Sequence, residues 1–197
     1  MRVAVLKIEG MDEALFGLGL SYGLTDDISF IMFQQDHALM KKMENIASKL
    51  AHKPGGHNKF LESIVLWIDV DAPRYWWSEM DTYRVGITKQ SASTMHTIRK
   101  RPLVGEDFES VIRSQTLDYL NKLINGRASI VRIKGELPES FLQRRIICTN
   151  AKAIQHIIEQ RRGHKLPEWT MFIECILEGW KDFGFAEELL EAQHDEC

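Results

Sequence analysis

A chain of 197 residues, 44% apolar and 27% charged, has the length and composition of one folded domain with a real core. Its net charge of −3 argues against a dedicated nucleic-acid coat, while leaving room for a local basic pocket that holds one nucleotide. The three cysteines, Cys148, Cys175 and Cys197, form no CxxC pair; they point to reduced thiols in a cytoplasmic setting, with no disulfide framework and no metal site.

The opening MRVAVLKIEG is too short and too charged for a signal peptide, and no long apolar run suggests a membrane span. Arg2 to Ile8 alternates as a strand does, and Gly10 ends it. Asp12 to Gly23 contains ALFGLGLSYG, a small-residue helix able to pack closely. His37 to His52 is an amphipathic helix with Leu39, Met40, Met43, Ile46, Ala47 and Leu50 on one face. Lys53-Pro54-Gly55-Gly56 breaks it. Phe60 to Val70 reads as a buried strand, and Pro73 suits the first turn of a helix carrying Tyr75, Trp76, Trp77 and Met80. Adjacent tryptophans suit a core or a subunit contact better than stacking on a ligand. Ser91 to Ile98 is compatible with a strand. Arg99-Lys100-Arg101 before Pro102 fits a solvated turn better than a nucleic-acid contact. Glu106 to Ile124 reads as a long helix stopped by Gly126.

From Arg144 to Leu177 the sequence predicts a short apolar strand holding Cys148, a capped helix ending in two arginines, and a second amphipathic helix. The acidic end EELLEAQHDEC reads as a solvated, fraying helix. No repeat or linker divides the chain, so a single α/β (α+β) domain over 1–197 is expected. Asn150 falls where the strand meets the first helix, and Arg161 lies about three turns further on. Such a pair can grip an anion at either helix end, or can simply cap and stabilise the helix.

These residues resemble the C-terminal signature of the flavin-dependent thymidylate synthases, the ThyX family. There R-x-x-L-P is followed after six residues by Arg, after six more by Asn, then by a helix ending in L/M-R. Here Lys134, Leu137-Pro138, Arg144, Asn150 and Arg161 keep those intervals, and IECIL resembles the family's last helix. His57 to Ser63 resembles H-E-T-P-F-E-H, with His57 and Glu62 agreeing. Val70 to Pro73 resembles VKAP, and Ser21-Tyr22-Gly23 resembles the end of V-S-Y-G. Together the landmarks cover most of the chain. The signature R-H-R-x-x-S-x-N-E-x-S-x-R falls on Thr82 to Thr94, where only Arg84 is retained. Thr82, Gln90, Ala92 and Thr94 replace Arg, Glu, Ser and Arg. Lys134 keeps a charge but loses the planar fork of arginine.

The resemblance implies a ThyX-like fold, a mixed sheet flanked by long helices. It implies FAD, methylenetetrahydrofolate as one-carbon donor and NADPH as reductant, used in reductive methylation of dUMP or a related pyrimidine nucleotide. The flavin carries the redox chemistry and the protein supplies position and charge. On the matching positions, His57, Glu62, Arg84, Asn150, Lys152 and His156 would contact flavin, and Lys134, Gln90 and Arg161 the nucleotide. Arg161 would be the catalytic cation, stabilising charge on the pyrimidine. A cytoplasmic homotetramer is implied, with the tryptophan pair and the LFGLGL helix as candidate subunit contacts, and no nucleic-acid polymer as partner. The rewritten signature leaves two functions open: a divergent enzyme, or a non-catalytic ThyX-like protein that binds nucleotide or flavin or serves as an assembly scaffold.

Overall fold

The computed structural model describes residues 1–190; Cys197 and the end of the acidic tail lie outside the described residues. Alternation makes Arg2–Glu9 the strand β1. Gly10 ends it with a left-handed φ of 88°, at a point where a Cβ would stand 2.5 Å from the Ser63 carbonyl oxygen. Helix α1 (Met11–Leu20) follows, then a short helix α2 (Phe30–Gln35) that the sequence did not announce. Helix α3 (His37–Leu50) starts where the Asp36 carboxylate accepts from the Leu39 amide at 2.9 Å, and it buries Met43, Ala47 and Leu50.

The strand expected from Phe60 begins later. Lys59–Ser63 is a 3-10 turn that buries Phe60 and Leu61, with the Ser63 hydroxyl donating to the Phe60 carbonyl at 2.7 Å. Strand β2 is Val65–Pro73 and leads directly into α4 (Arg74–Met80). Trp76 and Trp77 are both buried and meet edge to face at 4.9 Å; the Trp77 indole N–H donates to the Gln143 carbonyl at 2.7 Å. The pair is core within one chain, so it cannot supply the subunit contact suggested for it.

Strand β3 is Ile87–Ser91, and the residues after it turn into a short helix α5 (Thr94–Thr97), correcting the strand expected at 91–98. The Thr97 hydroxyl bonds back to the Ser93 carbonyl at 2.9 Å, a local alternative to strand pairing. The long helix expected from Glu106 is shorter, α6 (Ser114–Asn125), because Phe108 bridges to Phe141 in extended conformation. Gly126 stops it as expected. Helix α7 (Ile130–Glu136), capped by Ser129, precedes β4 (Leu142–Asn150), α8 (Ala151–Arg161) and α9 (Pro167–Asp182). In the Arg99–Arg101 run, Arg101 forks onto Asp107 and Arg99 donates to the Ala128 carbonyl, so these cations close turns.

The four strands form one antiparallel sheet in the order β1-β2-β4-β3. The α/β fold is as expected; the sheet within it is antiparallel rather than mixed. By internal contacts the chain divides into two units, and each strand gives residues to both. The first unit holds Met1–Arg2, Asp69–Arg84 and Lys89–Ile146, with a core of Ile98, Leu103, Phe108, Leu120, Ile133 and Phe141. The second holds Val3–Ile68, Val85–Thr88 and the chain from Ile147 onward. In it α1 packs on α3 and on the 3-10 turn, and α8 packs on that turn and on α9. No helix among the described residues is long and apolar enough to cross a membrane.

Within the second unit α9 approaches β1 closely. A Cβ on Gly179 would stand 2.5 Å from Val5 Cγ2 and 2.7 Å from Val5 Cβ. Gly179→Ala is expected to cost about 1–3 kcal/mol through overpacking. Adding Val5→Ala should recover most of that loss in urea denaturation; additive losses would show that this contact does not govern the packing.

Candidate functional site

Helix α8 organises the second unit's polar groups. Asn150 ends β4 in extended conformation, and its Oδ1 accepts from the Ala153 amide at 2.9 Å. The Ala151 amide donates to the Ile64 carbonyl at 2.9 Å, tying the helix start to the end of the 3-10 turn. Asn150 Nδ2 donates to no partner among the described residues, and the backbone at Gly86 lies against it. A Cβ there would stand 2.9 Å from Nδ2, and φ is 70°, so both space and conformation require glycine. The cap role is therefore real, and it leaves one amide donor uncommitted.

In the first turn of α8, Lys152 reaches Glu62 on the 3-10 turn, Nζ to Oε1 at 2.5 Å. Glu62 thus lies on a tight turn, not in the strand where the sequence placed it. The pair is half-exposed and contributes little to stability, under about 1 kcal/mol. Glu62 also lines a cleft of about 690 Å³ with His57, Lys59, Tyr22 and Glu13; Ala14, Gly17 and Leu18 of α1 give it an apolar wall. Nothing lies within 4 Å of the missing Cβ of Gly17, so this glycine leaves the cleft open. Volume and lining suit a flat, largely apolar ligand with polar edges. His57 and Glu62, paired by motif in the sequence, share this one cleft. Tyr22, Lys59 and Glu13 are not among the site residues that the sequence suggests; for Tyr22 the available signal is the Ser21-Tyr22-Gly23 resemblance, which marks a landmark of the fold and not a ligand contact. His156 is exposed on α8, one turn after Lys152.

Arg161 closes α8. Its guanidinium carbon stands 4.6 Å over the Trp169 ring, and Nη1 lies 3.0 Å from His164 Nε2. Stacking holds the fork in one orientation. Eleven helical residues separate Asn150 from Arg161, about 16 Å along the axis. Asn150 and Arg161 therefore stand at opposite ends of α8, with His156 between them.

The first unit carries the remaining candidates. Arg84, Gln90 and Lys134 are all exposed, Gln90 on β3 and Lys134 on α7. The signature segment around them is anchored inward. Lys89 Nζ donates to the Met80 carbonyl at 2.9 Å and pairs with Asp81 at 3.0 Å. Arg145 also pairs with Asp81 at 3.0 Å while lying 4.3 Å over the Trp77 ring. Burial alone would push the Asp81 carboxyl up, but the Lys89 and Arg145 hydrogen bonds outweigh it and hold it below the ordinary range. Arg144, at its signature interval, forks onto Asp69 at 2.8 and 2.5 Å, and this hydrogen bonding lowers that carboxyl too.

Cys148 and Cys175 are free thiols. Burial, with Glu178 and Glu174 nearby, pushes the Cys175 thiol up, which disfavours a nucleophilic role. No group of three His, Cys, Asp or Glu side chains among the described residues is placed to hold a metal ion.

No family model matches the chain, and no curated protein sequence matches it. Solved structures do. The flavin-dependent thymidylate synthase ThyX from Helicobacter pylori, complexed with FAD and dUMP, superposes with a TM-score of 0.71 at 16% identity, over 91% of this chain and 93% of that one. A second structure of ThyX from that organism with FAD and dUMP gives 0.76 at 15% identity, over 98% of this chain and 100% of the other. The UMP/dUMP methylase PolB from Streptomyces cacaoi, bound with 5-Br dUMP, gives 0.66 at 14% identity, covering 94% and 96%. At these identities the shared property is the fold.

Asp81 gives a pH prediction. Its folded pKa lies below the ordinary 3.8, so its stabilising contribution is complete above that value and lost as pH falls through the lowered one. Asp81→Asn leaves Lys89 and Arg145 without their carboxylate. It should cost about 1–2 kcal/mol at neutral pH, less than a fully buried pair because the carboxylate is half-exposed. It should also flatten the acid limb of the urea midpoint below about pH 4. An acid limb as steep as the wild type's would remove Asp81 as its source.

Proposed function

We propose that this protein is a flavoenzyme of the thymidylate-synthase type that methylates C5 of dUMP or a closely related uridine monophosphate. The observation that carries this reading is the cleft in which His57 and Glu62 meet, within a fold shared with flavin-dependent thymidylate synthases. The residues present fit a flavin. The cleft has an apolar wall for a planar ring and a rim of His57, Lys59 and Glu62 for its polar edges, and α8 adds the uncommitted Asn150 amide, Lys152 and His156. Bound FAD would supply hydride, with methylenetetrahydrofolate as the one-carbon source and NADPH as reductant.

The chain's own groups then have definable tasks. Lys152 meets an anionic part of the ligand only by loosening its pair with Glu62 or by sharing the ligand with it. Arg161, held over Trp169, presents a fixed cation to the pyrimidine carbonyls, where it favours negative charge on the ring. Arg84 is assigned to flavin, and Gln90 and Lys134 to the nucleotide. The homotetramer and the cytoplasmic location that the resemblance implies belong to the same reading.

A second reading, flavin or nucleotide binding without turnover, is favoured by the signature segment. Thr82 and Thr94 stand in place of arginines, and Lys89 is committed to Asp81 and the end of α4.

Two measurements separate these. The protein is incubated with FAD, excess is removed, and absorbance is read between about 350 and 500 nm. Tritium release from C5 of dUMP, UMP and dCMP is then assayed. Flavin bands with release from a uridine nucleotide support the enzyme; bands without release support binding alone; no bands would remove the redox reading and leave a scaffold. In an active protein, Arg161→Ala is expected to lower turnover about 100-fold while keeping the flavin bands. An unchanged rate would take Arg161 out of the chemistry.

A further inference from the structure

Gln155 lies on the buried face of α8, 4% exposed, between Ile154 and Ile157–Ile158. A buried amide in an apolar helix face needs partners. Its Nε2 lies 3.0 Å from the Ala51 carbonyl, 3.0 Å from His52 Nδ1 and 3.4 Å from the Leu189 carbonyl. Two hydrogens serve the two shorter contacts. The Ala51 oxygen is acceptor only, which fixes the amide nitrogen on that side. His52 Nδ1 then accepts, so the ring proton sits on Nε2 and is donated to the Glu188 carbonyl at 2.7 Å. Asn58 Nδ2 donates to the same Ala51 carbonyl at 3.0 Å. One carbonyl therefore receives amides from two sources, Gln155 on α8 and Asn58 at the far end of the loop that Ala51 begins.

That loop has little else to hold it. It contains Pro54 and two glycines with φ of 78° and 85°. Its backbone bonds lie at the edges, Lys53 to the Leu50 carbonyl and Lys59 to the Gly56 carbonyl. Gly55, Gly56 and His57 from this loop line the cleft. We propose that Gln155 is a positioning residue for the cleft: acting through the Ala51 carbonyl and the His52 ring, it fixes the loop that presents His57 to the bound ligand. The identity of that ligand as a flavin rests on the function proposed above. Gln155 itself does not touch the ligand; a hydrogen bond from His57 needs placement within about 0.5 Å, which only an ordered loop base provides.

The test uses the full-length protein and FAD as probe. Gln155→Leu keeps the volume and removes the donors; Asn58→Ala removes the second amide. Ile176→Val or Ile176→Ala, whichever matches the melting temperature of Gln155→Leu, serves as control, since Ile176 is buried on α9. Gln155→Leu should raise the FAD dissociation constant about tenfold, with the double variant weaker than the product of the singles because both act through one carbonyl. The matched control should stay within about twofold. Amide hydrogen exchange, measured without flavin, should quicken about tenfold at Gly55 to Asn58 in Gln155→Leu and not in the control. If wild type binds FAD and Gln155→Leu binds as its control does, the proposal is overturned. If wild type binds no FAD, the flavin reading falls, and exchange alone decides the loop's dependence on Gln155; unchanged exchange overturns it.

Discussion

The junction at Asn150 sets the second unit's chemistry. β4 passes into α8 without an intervening loop, so one residue must end the strand, cap the helix and fix its direction. Asn150 does this with its side-chain oxygen on the Ala153 amide, while Ala151 is held to Ile64 and the Gly86 backbone closes against the amide nitrogen. Once the direction of the first turn is fixed, helical pitch places Lys152, Gln155, His156 and Arg161 without further instruction. Loss of such a cap ordinarily costs about 1 kcal/mol, but a small tilt of α8 would move every one of these groups.

Stabilising roles and the proposed ligand-binding roles coincide on α8. Asn150 satisfies an orphan donor at the helix start and keeps an amide donor for something else. Glu62 brings a carboxylate to the helix N-terminus, where the dipole favours it, and neutralises Lys152 there. Arg161 sits at the C-terminus, where a cation complements the dipole, and is steadied by an indole face. Each residue would look ordinary in a stability argument. What sets the group apart is that so much polar chemistry converges on one helix and the adjoining turn.

The sequence displayed the regular parts of this fold clearly. α3, α8 and α9 carry strong apolar stripes between clear stops, and β1 alternates cleanly. Short apolar runs were ambiguous, as periodicity predicts: Phe60-Leu61 looks like the start of a strand but is the buried side of a 3-10 turn. Thr94–Thr97 carries strand-favouring threonines, yet the Thr97 hydroxyl bonds back to the Ser93 carbonyl and the chain turns into a short helix. The tryptophan pair gave no sign of which way it faced; the Gln143 carbonyl and Arg145 decide that from about 70 residues away. Motif spacing singled out His57, Glu62, Asn150 and Arg161 as candidates, of which the structure brings His57 and Glu62 to one cleft. It missed Gln155, because a glutamine among isoleucines announces burial only once its distant partners Ala51, His52, Asn58 and Leu189 are in place.

The bond from Gln155 to Ala51 spans 104 residues of chain. At ribosomal speeds of about 5–20 residues per second, the loop bearing His57 exists for roughly 5–20 seconds before the amide that closes it has been synthesised. Helices α1 and α3 are able to pair during that interval, since both lie upstream. The lining of the cleft, Glu13 to Ser63, is therefore all in place early, and what α8 adds late is the amide that ties down the loop bearing His57.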